Sequence, residues 1–354
     1  MKDQKNILII GGGLSGLHLA YELQKNNLST LVLEASPRIG GRIQTQSGAL
    51  GTPLELGATW LGYVHQNLLS LIGELGLTKY PQYSNGISLF QTKSFEASQQ
   101  FFVPASESPS YRLAGGTQQL VNTLAERLPA QSIQLNNRVA TIAETPEGLI
   151  ITTAAGMQYS ADVAVLCLPA QLAAALIQFS PSLPAAVQEI LPTVQTWMAG
   201  AIKFAIEYPT PFWRNNGYSG MLYSHAGIIT EMYDHTNYEE NGFGFTGFLN
   251  GGASAYTAAV RKELVLQQLV ELLGEDAGHP STYFDKIWND DFVVSGSQII
   301  HRPHQNNGHA LLQQSYMNGK LFFCGTETAT AFGGYMEGAV IAAKTLAEKI
   351  TAIF

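Results

Sequence analysis

The chain has 354 residues, with 19 Lys+Arg against 27 Asp+Glu for a formal net charge of −8, and it is 45% hydrophobic but only 13% charged. This length suits about two domains, and the acidic balance without basic runs excludes nucleic acid and anionic membrane as natural partners. A charged fraction well below the roughly 25% usual in soluble domains describes a chain that buries much of itself or encloses a ligand.

No apolar run reaches the ~18 residues of a membrane span, and no signal peptide is read in MKDQKN. Cys167 and Cys324 lie in apolar strand-like runs, as buried reduced thiols do. A cytoplasmic location is expected.

Ile7 to Ile10 is a short β-branched run stopped by glycines, the pattern of a buried parallel strand. Gly11, Gly13 and Gly16 complete G-x-G-x-x-G, and Leu14, Leu17, Leu19, Ala20 and Leu23 form a helical stripe behind them. Between strand and helix the three glycines have distinct uses: a tight turn, close approach of a pyrophosphate, and close helix packing. Leu14 and Ser15 open the helix, whose N-terminus faces the anion. A second strand, Thr30 to Leu33, ends at Glu34, 18 residues after Gly16, where a carboxylate holds a ribose. These features predict a dinucleotide site. The next stretch, ASPRIGGR from Ala35, is a second glycine turn containing Gly41, with Arg38 and Arg42 placed to clamp a phosphate.

Strand, glycine turn, acid and G-G-R together resemble the flavin-dependent amine oxidase family, which includes monoamine, polyamine and L-amino-acid oxidases. The resemblance implies FAD. In LELGATWLG it lends Gly57, Ala58, Thr59 and Trp60 a place beside the isoalloxazine ring, where the residues alone read equally as a glycine turn with a core tryptophan. A helix is predicted from Gln66 to Leu77, ended by Gly76, followed by short strands and loops from Tyr80 to Ser110. Family members carry several helices of a substrate-covering domain here, so the lid is expected to be abbreviated. YRLAGGTQQLVNTLAERL, Tyr111 to Leu128, resembles the return to the FAD domain. Ser132 to Ala143 alternates as one strand, with Val139 at the adenine position. Gly148 to Tyr159 reads as a hairpin, Ala161 to Pro169 as a buried strand and Pro181 to Pro192 as a helix.

In IKFAIEY, Lys203 alternates with Ile202 and Phe204. Periodicity alone reads it as a solvated lysine. The resemblance reads it instead as the lysine that holds a water beside flavin N5, because P-F-W-R follows at Pro211 to Arg214. Tyr223, Tyr233 and Phe245 face either substrate or core, and Arg261 to Leu273 is a helix. Counting from Trp288, the covalent-flavin cysteine of monoamine oxidases maps to Ser297 and one tyrosine of their aromatic cage to Gln298, which implies non-covalent FAD and a changed substrate wall. His301, His304 and His309 sit in a proline- and glycine-containing stretch without a helix to align them, and are read as loop residues with no metal.

The C-terminal GTETATAFGGYMEGAV resembles the second family signature, placing Gly325 and Glu327 near the ribityl–pyrophosphate region and Tyr335, Met336 and Ala339 at the flavin. Tyr335 maps to the remaining cage tyrosine. The expected fold class is α/β: a Rossmann-like FAD-binding domain (1–80, 112–172, 296–354) with an interleaved smaller α+β substrate domain (81–111, 173–295). What the resemblance implies is oxidation of the C–N bond of an amine or amino acid by hydride transfer to flavin N5, hydrolysis of the imine, and reoxidation by molecular oxygen to give peroxide. Lys203 and Tyr335 are the catalytic candidates, and Gln298 and Tyr335 the substrate contacts. A desaturase or dehydrogenase acting on a C–C bond with another acceptor, or a non-catalytic flavoprotein, are the alternatives.

Overall fold

A computed structural model describes residues 6–289 and 304–353. One sheet has the strand order Ser315–Tyr316, Leu321–Phe323, Val163–Leu166, Asn6–Ile10, Ser29–Leu33, Ile133–Gln134. All its neighbours are parallel except the first pair. Ile7 and Ile9 point to a core shared with helices Leu14–Lys25, Gln118–Arg127 and Met336–Ile353, while Leu8 and Ile10 point to a second core on the other face. Burial on both faces is why this strand reads as an unbroken apolar run. The second core is closed by a four-stranded sheet ordered Gln158–Ala161, Gly148–Thr153, Val139–Thr145, Gln178–Ser180.

The stretch expected as one strand, 132–143, is therefore two. Ile133–Gln134 joins the parallel sheet and Val139–Thr145 the four-stranded one. Asn136, at φ 59°, breaks the chain between them, and asparagine tolerates this left-handed backbone better than most residues. The helix expected over 181–192 is also shorter, Ala185–Ile190 followed by a 3-10 turn.

A seven-stranded sheet follows the order Thr282–Ile287, Ile202–Tyr208, Phe243–Leu249, Ile229–Asp234, Tyr218–Ser224, Gly86–Gln91, Gln99–Val103. Ile202, Phe204 and Ile206 pack with Val265 and Leu269 of helix Ala258–Leu273. The opposite face of the same strand is equally dry. Ala205 packs on Leu54 and Leu56, and the Glu207 carboxylate accepts hydrogen bonds from Leu50 N and Thr52 N at 3.0 Å and from Thr282 Oγ1 at 2.8 Å. This contact lays residues 48–59 across the sheet and brings them over Lys203.

Candidate active site

The glycine turn behaves as its spacing predicts. Gly11 has φ +114° and a Cβ there would stand 2.5 Å from the Cys167 carbonyl oxygen. At Gly16 a Cβ would come within 2.0 Å of the Gly11 oxygen, so only glycine lets the helix pack this closely. Gly13 is different: its Cβ would meet nothing nearer than the Gly41 Cα at 4.0 Å, so the backbone here borders open space. Glu34 is fixed by its own turn, accepting from Gly12 N at 2.6 Å and from Ser36 N at 2.8 Å.

That open space is a cavity of about 780 Å³. All residues assigned to the cofactor from the sequence line it, from Gly11 and Glu34 through Gly57 and Val139 to Glu327 and Ala339, except Gly16, which lies beneath the turn. Lys203 and Tyr335 line it as well. Ser297 and Gln298 lie outside the described residues, as does His301.

The Arg38 guanidinium donates to the carbonyls of Ile39, Ile43 and Gly41 and so closes the glycine turn, while the residue also lines the cavity. Arg42 reaches across the cavity instead, with Nη2 2.7 Å from Glu327 Oε1 and Nη1 donating to the Trp197 carbonyl at 3.4 Å. Glu327 is 2% exposed, yet neither of its oxygens has a well-directed hydrogen bond among the described residues. The Arg42 guanidinium balances its charge, and the acceptor capacity left over suits a hydroxyl-bearing ligand.

Lys203 is the sharpest correction to periodicity. Instead of being solvated it is 2% exposed, and its Nζ donates to Gly57 O at 2.7 Å and to the Thr59 hydroxyl. The Thr59 hydroxyl itself donates to Gly57 O at 3.1 Å. Trp60 and Phe248 flank the ammonium, their ring centres 4.9 and 5.7 Å from Nζ. Burial lowers its pKa to about 7, against the opposing pull of the buried Glu55 carboxylate. A lysine so placed exchanges a proton near neutrality.

Tyr335 immediately precedes the helix Met336–Ile353, whose positive dipole end meets the cavity at Met336 and Ala339. Its ring stacks on His304 (5.5 Å, 19°) and leans on Trp197 (5.9 Å), which itself stacks on His304 at 4.2 Å. Sequence reasoning missed Trp197 and His304 in this group, since both lie in irregular segments where no period marks a face. His309 accepts from Leu311 N, as a turn residue. Phe245 belongs to the core, 4.1 Å from the Trp213 ring, whereas Tyr233 packs edge-on against Trp60.

Glu337 was also missed as a structural residue. It is 1% exposed and accepts from Asn67 N, Asn67 Nδ2 and Leu68 N at 3.1, 2.8 and 2.7 Å, tying the start of helix Gln66–Glu74 to the C-terminal helix. Glu337→Ala strands those donors and is expected to cost about 2 kcal/mol or more, measured as a lower urea midpoint. An unchanged midpoint would contradict that role.

A strand, glycine turn and helix opening onto a large cavity form the arrangement of dinucleotide-binding α/β proteins. Residues 14–94 and 87–351 match the family described as flavin containing amine oxidoreductase, and the chain belongs to that family. It is accordingly an oxidoreductase that uses a flavin. A probable flavin-containing monoamine oxidase A of Dictyostelium discoideum is 25% identical, with 96% of each chain covered. An L-amino acid dehydrogenase of Synechocystis is 24% identical, covering 97% of this chain and 94% of its own. Cyclohexylamine oxidase from Brevibacterium oxydans has the same fold, with a TM-score of 0.85 at 22% identity over 99% of both chains. So does putrescine oxidase bound to putrescine, at 0.84, 22% identity and the same coverage. Among the described residues no helix is long and apolar enough to cross a membrane.

Proposed function

We propose that the cavity holds FAD non-covalently and that the enzyme oxidises the C–N bond of a small amine, with molecular oxygen as acceptor. The observation that carries this reading is the buried Lys203 ammonium in the same cavity as the glycine turn, Glu327 and Tyr335. In this reading the Gly13 backbone would meet the pyrophosphate, Glu327, already paired with Arg42, would accept from a ribityl hydroxyl, and Glu34 would accept from the ribose. Residues 1–80, 112–172 and 296–354 form the FAD-binding domain, with 81–111 and 173–295 the substrate domain. Non-covalent attachment is supported by Ser297 at the linkage position of the family resemblance.

Bound flavin supplies the hydride acceptor and passes the electrons on to oxygen. The protein's part is to position and to manage protons. Tyr335 presents a ring face that guides the amine. Two N–H groups of Lys203 are taken by Gly57 O and Thr59, and the remaining position, an N–H when charged and a lone pair when neutral, holds a water in the cavity for proton movement. The substrate nitrogen must arrive neutral, because a protonated amine has no lone pair to assist C–H cleavage. The N-terminal N–H groups of helix Met336–Ile353, which faces the cavity at Met336 and Ala339, would favour negative charge on a flavin bound there.

The test is simultaneous measurement of oxygen uptake, peroxide and carbonyl product with a panel of amines and amino acids. Equal amounts of all three support the oxidase. Turnover that requires an artificial acceptor, with sluggish oxygen uptake, would make the enzyme a dehydrogenase, the activity in the name of the Synechocystis relative.

A further inference from the structure

Beside the Lys203 end of the cavity, one row of side chains crosses the seven-stranded sheet. Lys286 pairs with Lys203, Lys203 with Phe248, Phe248 with Glu231, and Glu231 with Tyr223. Directly opposed residues on antiparallel strands share a face, so this row runs along the surface that Lys286, Lys203 and Phe248 give to the cavity. Its far end is Tyr223, 41% exposed. Two strand spacings put the Glu231 backbone about 10 Å from that of Lys203.

Glu231 is half-buried and held in place. The Tyr233 hydroxyl donates to its Oε1 at 2.5 Å, and the Tyr223 hydroxyl lies 2.6 Å from that of Tyr233. Oε2 has no hydrogen-bond partner among the described residues. Burial and the neighbouring carboxylate push the Tyr233 phenol well above its usual range, so it remains a donor. Its ring rests against Trp60, which also leans on Phe248 at 6.4 Å. The order from Lys203 outward is therefore cation, aromatic wall, then, two strands away on the same sheet face, a carboxylate held by Tyr233.

We propose that Glu231 receives a second ammonium group of the substrate, so that the enzyme prefers a diamine, or an amine with a distal cation, over a simple monoamine. This rests on the reading above that Lys203 marks the reacting end. An aliphatic spacer of a few carbons crosses the Trp60 and Phe248 surfaces while the distal nitrogen meets Oε2. The same carboxylate repels a substrate whose far end is anionic, which disfavours acidic amino acids.

The experiment is anaerobic mixing of the flavin-loaded enzyme with 1,4-diaminobutane and with butylamine at several concentrations, giving Kd for each from the concentration dependence of flavin bleaching. Wild type is expected to bind the diamine at least tenfold more tightly, the worth of about one charge-assisted hydrogen bond. In Glu231→Gln the ratio of the two Kd values is expected to fall toward one, with Tyr233→Phe in between. Equal Kd values in wild type, or a ratio unmoved by Glu231→Gln, overturns this inference and leaves amine oxidation standing. Failure of both amines, and of every member of the amine and amino acid panel above, to bleach the flavin removes the underlying reading as well.

Discussion

Lys203→Met is expected to slow turnover by roughly two orders of magnitude, the size of a positioned proton-transfer group, while the protein keeps its fold and its flavin. Methionine fills nearly the same volume between Trp60 and Phe248 and brings no charge into this buried position. The Gly57 carbonyl retains a donor in the Thr59 hydroxyl. What disappears is the group that exchanges a proton near neutrality. Because burial holds the Lys203 pKa at about 7, the ammonium is a fixed cation below that pH and a neutral amine above it. The cation repels a protonated substrate and cannot accept a proton, so activity should rise as pH increases through 7. In Lys203→Met that inflection should vanish, leaving only the one set by the substrate's own amine. Initial rates from pH 6 to 10, with flavin content read from the visible spectrum, check both points. Wild-type-like rates or an unchanged profile would remove Lys203 from the chemistry.

The second large effect contrasts two glycines of one turn. Gly13→Val points its side chain at the cavity, with a Cβ that meets nothing nearer than the Gly41 Cα at 4.0 Å, so the protein should fold with near-normal stability and purify without flavin. Gly16→Ala drives a methyl to 2.0 Å from the Gly11 oxygen. Backbone must move there, and overpacking of this kind costs typically 1–3 kcal/mol, so this variant should lose stability as well as flavin. Thermal melts of the flavin-free proteins, beside the absorbance ratio of flavin to protein, separate the two. Full flavin content in Gly13→Val would mean that the cavity does not serve the cofactor.

Legibility in the sequence followed the range of the contacts involved. Gly11, Gly13 and Gly16 were readable because their uses depend on backbone sterics within a few residues and on the flanking strand and helix. The C-terminal segment was readable for a similar reason, a strand, turn and helix contiguous in sequence. Lys203 was misread by periodicity because alternation presumes one wet face. Here residues 48–59 cover that face through Glu207, Leu54 and Leu56, contacts about 150 residues apart that no local pattern reveals. The Ser132 to Ala143 stretch alternates correctly, yet a single left-handed Asn136 hands its two halves to different sheets. The Arg38 side chain has the chemistry of a phosphate clamp, and only the folded turn shows it closing on its own carbonyls. Trp197, His304 and Glu337 make their contacts from irregular or distant segments and had no signal to find.

The most direct test is a single anaerobic mixing of the yellow protein with a small amine at pH 8 to 9, following the flavin absorbance near 450 nm. The account predicts complete bleaching in the wild type and slow or absent bleaching in Lys203→Met at the same flavin content. A flavin that stays oxidised with every amine and amino acid tried would contradict it.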